Sequence, residues 1–245
     1  MKDIEELIKN TEKYKNALIQ KRLDSKKNTV VYATIEGKPR ILKWFAPGLK
    51  QNMETEFTIL RKGSSKLKMP AVLEKDAENS VLILGYIIGE NLCELINDTD
   101  VPLEQKQKMI ALLSAWFASF HDHFKSEEGF RIRGDPSLRN FIYKDGVWGV
   151  DFEESRPGKP IEDIAGMCAS ILSTDPMFTD EKFQLCRIFI DSYRKLVTWP
   201  LDNISEAIAY SLLERIQWRP DDEEILRKNA KQIRKHGLGE TGHNF

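Results

Sequence analysis

The sequence predicts an α+β chain of two lobes, a small antiparallel-sheet lobe followed by a mostly helical one. Three observations predict it. Short β-branched and aromatic runs separated by turn residues fill the first ~88 positions. Long stretches with helical apolar spacing fill the rest. Between them, GYIIGENL carries two glycines and marks a shift in composition. The expected division is 1–87 for the sheet lobe and 88–245 for the helical lobe.

Composition limits the function classes. The chain has 245 residues, 41% of them hydrophobic, enough for a sizeable core. Its net charge of −1 gives no global field toward nucleic acid or membrane. Cys93, Cys168 and Cys186 lie far apart, without the spacing of a disulfide framework or a zinc knuckle. No apolar run reaches the ~18 residues that span a bilayer. The charged start, MKDIEELIKN, has no signal-peptide core, so a cytoplasmic protein is expected.

From the start, Met1 to about Leu23 shows a loose helical stripe of Ile4, Leu7, Ile8, Tyr14, Leu18 and Ile19. LDSKKN then breaks it. Val30–Phe45 predicts a hairpin, VVYATI and RILKWF around EGKP, with Lys43 in the second strand. Gln51 to about Arg61 predicts a helix bearing Glu54 and Glu56. MPAVLEKD and NSVLILGYI predict two more strands, so this lobe is expected to run strand, strand, helix, strand, strand. Helices are then expected over Leu103–Phe124, Pro160 to about Leu172, Glu181–Val197, Asn203–Trp218 and Asp221–His236. Gly237 fits a helix stop, and the tail LGETGHNF is expected to be mobile.

The chemistry concentrates in RIRGDPSLRNFIYKDGVWGVDFEES, residues 131–155. PheIleTyrLys, AspGly and ValTrpGlyVal form a strong hairpin signal. Asp135 and Asn140 precede it and Asp151 follows it, so the fold-back can bring both ends to one place. Two carboxylates and an amide carbonyl are hard oxygen donors suited to Mg²⁺, and no histidine is near enough for a zinc site. Phosphoryl transfer uses such a set: an Asp for the acceptor hydroxyl, an Asn and a second Asp for Mg²⁺, and a distant Lys for the phosphates. Asp135, Asn140, Asp151 and Lys43 fill these roles in chain order.

RGDPSLRNFIYKDGVWGVDFE resembles the catalytic segment of the aminoglycoside phosphotransferase and choline kinase group, within the protein-kinase-like superfamily. The resemblance covers nearly the whole chain after residue ~25. ILKWF resembles the lysine strand, and Glu56 stands where the helix glutamate pairs with that lysine. LILGYIIGENL resembles the adenine-binding hinge, which places Leu84, Gly85, Tyr86 and Ile87 at the nucleotide base. KPIEDIAGM resembles the helix start whose Asp, here Asp163, braces the catalytic loop. The resemblance implies a bilobal protein-kinase-like fold that moves the γ-phosphate of ATP (or GTP), with Mg²⁺, to a hydroxyl of a small molecule. Asp135 is then the base or orienting residue, Asn140 and Asp151 the metal ligands, and Lys43 the phosphate ligand set by Glu56.

The chain departs from the group's pattern in four places. Arg133 replaces the usual His, Glu153 the Gly of Asp-Phe-Gly, and Gly85 the hinge Glu, while no GxGxxG precedes Val30, so Leu23–Asn28 must cover the phosphates. Two rival readings follow. Brevity after Asp163 suits an atypical kinase acting on RNA or protein, since the small archaeal kinases and that of the tRNA-modifying KEOPS complex are of this size. Arg133 and the absent glycine loop suit a nucleotide-binding pseudokinase.

Each feature also has a blander reading. The RGD tripeptide is an adhesion motif only on an exposed extracellular loop. Lone lysines and helix acids are most often solvated, and Glu54 rivals Glu56. His121 and His123, two apart on a helix, point to different faces. The basic cluster around Arg227, Lys231 and Arg234 is interleaved with acids that suit an ordinary helix.

Overall fold

In the computed structural model, which describes residues 8, 11–23, 25 and 27–239, the chain divides into two compact units. The first is Met1–Ile88 with Asp151–Glu154, and the second is Gly89–Val150 with Ser155–Phe245.

The first unit is a five-stranded antiparallel sheet in the order β1-β2-β3-β5-β4. Its strands are β1 (Leu18–Leu23), β2 (Thr29–Ile35), β3 (Lys38–Trp44), β4 (Val72–Asp76) and β5 (Val81–Gly85), and α1 (Lys50–Gly63) lies between β3 and β4 in the chain. Alternation sorts the strand residues onto two faces. Val31, Ala33, Leu42, Val81 and Ile83 form one buried cluster, closed over by Ile8, Tyr14 and Ala17. Tyr14 is fixed there by donating to Asp76 Oδ2 at 2.5 Å. On the opposite face, Val30 pairs with Lys43 and Lys43 with Leu82. Helix α1 buries Met53, Glu56, Ile59, Leu60 and Gly63, a three-to-four spacing that turns a single stripe inward.

The expected helix to Leu23 is corrected from residue 11 onward: Glu12–Tyr14 is a short 3-10 turn and Leu18–Leu23 is a strand paired with β2, so among the described residues the unit has five strands. Helical spacing of Leu18 and Ile19 was misleading because both are exposed. The ladder groups of β2 need partners, and an edge strand supplies them whatever its side-chain periodicity. The register slips between Ile19 and Lys21, a bulge that further blurs any alternation. Most of the expected helix before residue 11 lies outside the described residues.

Among the described residues the second unit is built on five longer helices and one short one: α2 (Leu92–Asn97), α3 (Leu103–His123), α4 (Pro160–Ser173), α5 (Asp180–Arg194), α6 (Ile204–Glu214) and α7 (Glu223–His236), of which α2 is the short one. Helix α5 ends at Arg194 rather than Val197, and α6 and α7 are shorter than the sequence predicts, with 3-10 turns at Arg215–Gln217 and Pro220–Asp222 taking up the difference for those two. Helix α4 is apolar nearly all round and almost wholly buried, the central rod of the unit. Aromatic side chains of α3 fill the core beside it: Phe117 packs on Phe141 at 5.5 Å and on Phe189 at 5.8 Å. The predicted hairpin is β8 (Phe141–Tyr143) and β9 (Val147–Gly149), extended by β6 (Glu90–Asn91). A second small sheet pairs β7 (Arg131–Ile132) with β10 (Arg156–Pro157). Of the expected mobile tail, Leu238 and Gly239 accept hydrogen bonds from Arg187, and the remainder lies outside the described residues. Among the described residues no helix is long and apolar enough to cross a membrane.

Candidate active site

The first unit holds a buried lysine among carboxylates. Lys43 Nζ lies 2.6 Å from Glu56 Oε2, 2.6 Å from Asp151 Oδ1 and 2.9 Å from Glu153 Oε2. Strand β3 aims Lys43 at α1, and the inward stripe of α1 carries Glu56 to it. Glu54, on a different face, pairs with Lys75 at 2.7 Å instead. Burial alone would lower the Lys43 pKa, but Glu56, Asp151 and Glu153 outweigh it and hold the ammonium above its ordinary value. Glu56 is pushed up by burial against the pull of Lys43, and its other oxygen accepts from Phe152 N–H at 3.2 Å. Glu56 thereby fixes both the lysine and the backbone beside Asp151.

Asp151 is the most open of the set, its side chain 42% exposed. Its backbone sits at φ 64°, a left-handed conformation that Asp tolerates better than most residues and that recurs at functional sites. Carboxylate oxygens of Glu56, Asp151 and Glu153 all lie within 4.8 Å of one another. Glu56 and Glu153 are buried and held by Lys43, so Asp151, open to solvent, is the hard oxygen donor of this set that fits a divalent cation such as Mg²⁺.

In the sequence Glu153 stood out only as a replacement for the Gly of Asp-Phe-Gly, and Asn28 only as the end of the segment expected to cover the phosphates. They stand 125 positions apart, yet the Asn28 amide donates to Glu153. Lys27 pairs with the neighbouring Glu154. The segment expected to cover the phosphates is thus tied down by acids rather than shaped by glycines, though Asp24 and Lys26 within it lie outside the described residues.

Of the residues expected at the nucleotide base, Leu84 is buried near the end of β5. Gly85 donates its N–H to Ala71 O at 2.9 Å. Tyr86 is exposed and stacks on Tyr32 with ring centroids 4.3 Å apart. Ile87 is half-buried.

The second unit carries Asp135 and Asn140 on a loop held from below. Gly134 turns the chain at φ 81°. Asp163, at the start of α4, accepts from Arg133 N–H at 2.7 Å and Gly134 N–H at 3.2 Å. His121 Nε2 lies 3.1 Å from the same carboxylate, and its Nδ1 lies 2.7 Å from Tyr193 Oη. So His121 is a buried brace and not half of a metal pair with His123. Asn140 Nδ2 donates to Asp135 Oδ2 at 3.1 Å, which orients an otherwise exposed carboxylate. Val150 N–H donates to Asn140 O at 2.9 Å, closing the hairpin one residue before Asp151.

Arg133 replaces histidine with a different kind of support. It is buried, with its guanidinium 5.5 Å from the Trp116 ring and 4.8 Å from the Phe141 ring. Its Nη2 donates to Val150 O at 2.7 Å. A buried Arg133 also removes the tripeptide from any adhesive surface.

Close packing fixes the loop from the other side. A Cβ on Gly166 of α4 would stand 2.5 Å from Pro136 Cγ, next to Asp135. Gly166→Ala is therefore expected to displace the loop. Stability should fall by about 1–3 kcal/mol, and any turnover that depends on Asp135 by about 10- to 100-fold. Steady-state kinetics beside urea unfolding check this.

No family model matches the chain. Over 105 residues it is 30% identical to the KEOPS complex subunit Bud32 of Pyrococcus abyssi (strain GE5 / Orsay), a stretch covering 42% of this chain and 44% of that protein. The matched stretch thus spans less than half the length of that curated relative. Two solved structures are similar along nearly the whole chain. Choline kinase LicA from Streptococcus pneumoniae superposes with a TM-score of 0.59 and 15% identity, covering 96% of this chain and 98% of that one. APH(2")-IIa, in its gentamicin complex, gives a TM-score of 0.61 and 13% identity, covering 94% of each chain. At those identities the likeness shows the fold.

Proposed function

We propose that this chain, which has the fold of the aminoglycoside phosphotransferase and choline kinase group within the protein-kinase-like superfamily, moves the γ-phosphate of ATP (or GTP) to a hydroxyl of a small molecule. The observation that carries the proposal is Lys43, buried and held 2.6 Å from both Glu56 and Asp151. A lysine kept charged in a buried place has a role that a solvated strand lysine lacks. Here it neutralises nucleotide phosphates, with Glu56 setting its position. Asp151 and Asn140 hold Mg²⁺, which when bound neutralises charge on the transferring phosphoryl group. Asp135 orients the acceptor hydroxyl and takes its proton, with Asn140 keeping the carboxylate aimed. Leu84, Gly85, Tyr86 and Ile87 take the nucleotide base. Three free, buried cysteines support a reducing compartment such as the cytoplasm.

A small-molecule acceptor is favoured by a cleft of about 740 Å³ within the second unit, with Asp135 on its wall. Asp202, Glu206 and Glu214 also line it, with the exposed rings of Tyr210 and Trp218, a surface suited to a cationic alcohol. The likeness to Bud32 favours a second reading, an atypical kinase with a macromolecular acceptor.

Equilibrium ATP binding tests the nucleotide half. The wild type is expected to bind ATP in the presence of Mg²⁺, and Asp151→Asn to lose the Mg²⁺-dependent part of the affinity. Equal affinity with and without Mg²⁺ in the wild type would favour a pseudokinase.

A further inference from the structure

The acceptor cleft is lined by several acidic side chains, but its charges are not equally available. Asp163 is consumed by the amides of Arg133 and Gly134 and by His121. Glu162 pairs with Arg156 at 2.9 Å and Glu206 with Arg234 at 2.7 Å. Among the described residues that leaves Asp202, Glu214 and Asp135 as carboxylates without an ion pair. It also leaves one cation, Arg215.

Arg215 follows α6 in a 3-10 turn and lines the same cleft as Asp135. Its Nη2 donates to Gly166 O at 3.2 Å, and it makes no ion pair among the described residues. Burial lowers its pKa from the ordinary value, with Asp135 close enough to oppose the shift by its charge. A guanidinium presents five donors in a planar fork matched to an oxyanion. Arg215 is half-buried and uses one of them on a backbone carbonyl. In a cleft whose other available charges are negative, this cation repels the ammonium groups that Asp202 and Glu214 attract. It would be a defect in a site built for a plain polycation.

We propose, resting on the phosphotransferase reading, that Arg215 takes an anionic group of the acceptor, which is therefore a hydroxyl compound bearing a carboxylate or phosphate as well as an amine. The fork holds the oxyanion beside the hydroxyl that Asp135 activates, and Asp202 and Glu214 take the amine. Arg215 thus acts as a specificity residue, and the discrimination it gives is against amino alcohols that lack the anion.

The test uses three matched fragments, serine, ethanolamine and glycolate, which share a hydroxymethyl group and differ in charge. Ligand-observed NMR titration of the full chain with Mg²⁺ and a nonhydrolysable ATP analogue reads their affinities. Serine is expected to bind about 10-fold or more tighter than ethanolamine, the scale of a charge-assisted hydrogen-bond pair. Arg215→Met should erase that difference, Arg215→Lys should restore part of it, and ATP affinity should hold in both. Three results would overturn the proposal: ethanolamine binding as tightly as serine to the wild type, a preference for serine that survives Arg215→Met, or no saturable binding of either anionic fragment. The wild-type comparison stands even if Arg215→Met fails to fold. Loss of ATP binding by the wild type would instead sink the phosphotransferase reading, which the fragment preference does not address.

Discussion

Lys43→Met is expected to unfold or nearly unfold the first unit and to abolish transfer. Lys43 is the only cation that the described contacts place among Glu56, Asp151 and Glu153. Removing one partner of a buried ionic set leaves the others uncompensated, at a cost of about 3–5 kcal/mol. That is a large part of the stability of an ordinary domain, about 5–15 kcal/mol. Part of the loss should return in Lys43→Met/Glu56→Gln, because Glu56 is the most buried of the acids, its side chain only 1% exposed. Activity should not return with it. One preorganised donor to a transition-state anion is worth about 10²- to 10³-fold, and the double variant still lacks it. Urea unfolding and transfer assays on both variants separate the two effects. Recovery of turnover along with stability would mean that Lys43 is structural only.

Asp135→Asn is expected to behave in the opposite way, losing turnover without losing the fold. Asp135 is exposed, and its described side-chain partner is the Asn140 amide, which an asparagine oxygen can also accept from. Stability should change by no more than about 0.5 kcal/mol, as for a surface substitution. Turnover should fall by about 10²- to 10⁴-fold, the range for loss of a positioned general base. ATP affinity should be unchanged, since the substitution removes no assigned nucleotide contact. A drop in ATP affinity equal to the drop in turnover would move Asp135 from acceptor chemistry to nucleotide binding.

The order of elements was legible in the sequence where local signals were strong. The Asp145-Gly146 turn between apolar runs announced the hairpin, and the long apolar spacing of Leu103–His123 announced α3. Glu56 was favoured over Glu54 only through the resemblance, and the fold decides between them because two glutamates two apart cannot both lie on the inward stripe of α1: Glu56 meets Lys43 and Glu54 meets Lys75. Edge strand β1 was not legible, since its residues are exposed and only the open ladder of β2 selects it. Neither was the contact of Asn28 with Glu153, which depends on tertiary proximity across 125 positions. Arg215 left no pattern at all, being a single arginine in a short turn whose setting is defined by the cleft. His121 was legible only as a negative, a poor metal pair, because its partners Asp163 and Tyr193 come from two other helices.

Transfer of label from γ-labelled ATP, with Mg²⁺, into cell extract divided into small-molecule, RNA and protein fractions decides whether the chain is a phosphotransferase and for which acceptor. Asp135→Asn runs beside the wild type. The predicted result is label in the small-molecule fraction with the wild type and its loss with the variant. Label in the RNA or protein fraction alone would contradict the small-molecule acceptor, and label in none, with ATP still bound, would contradict the phosphotransferase itself.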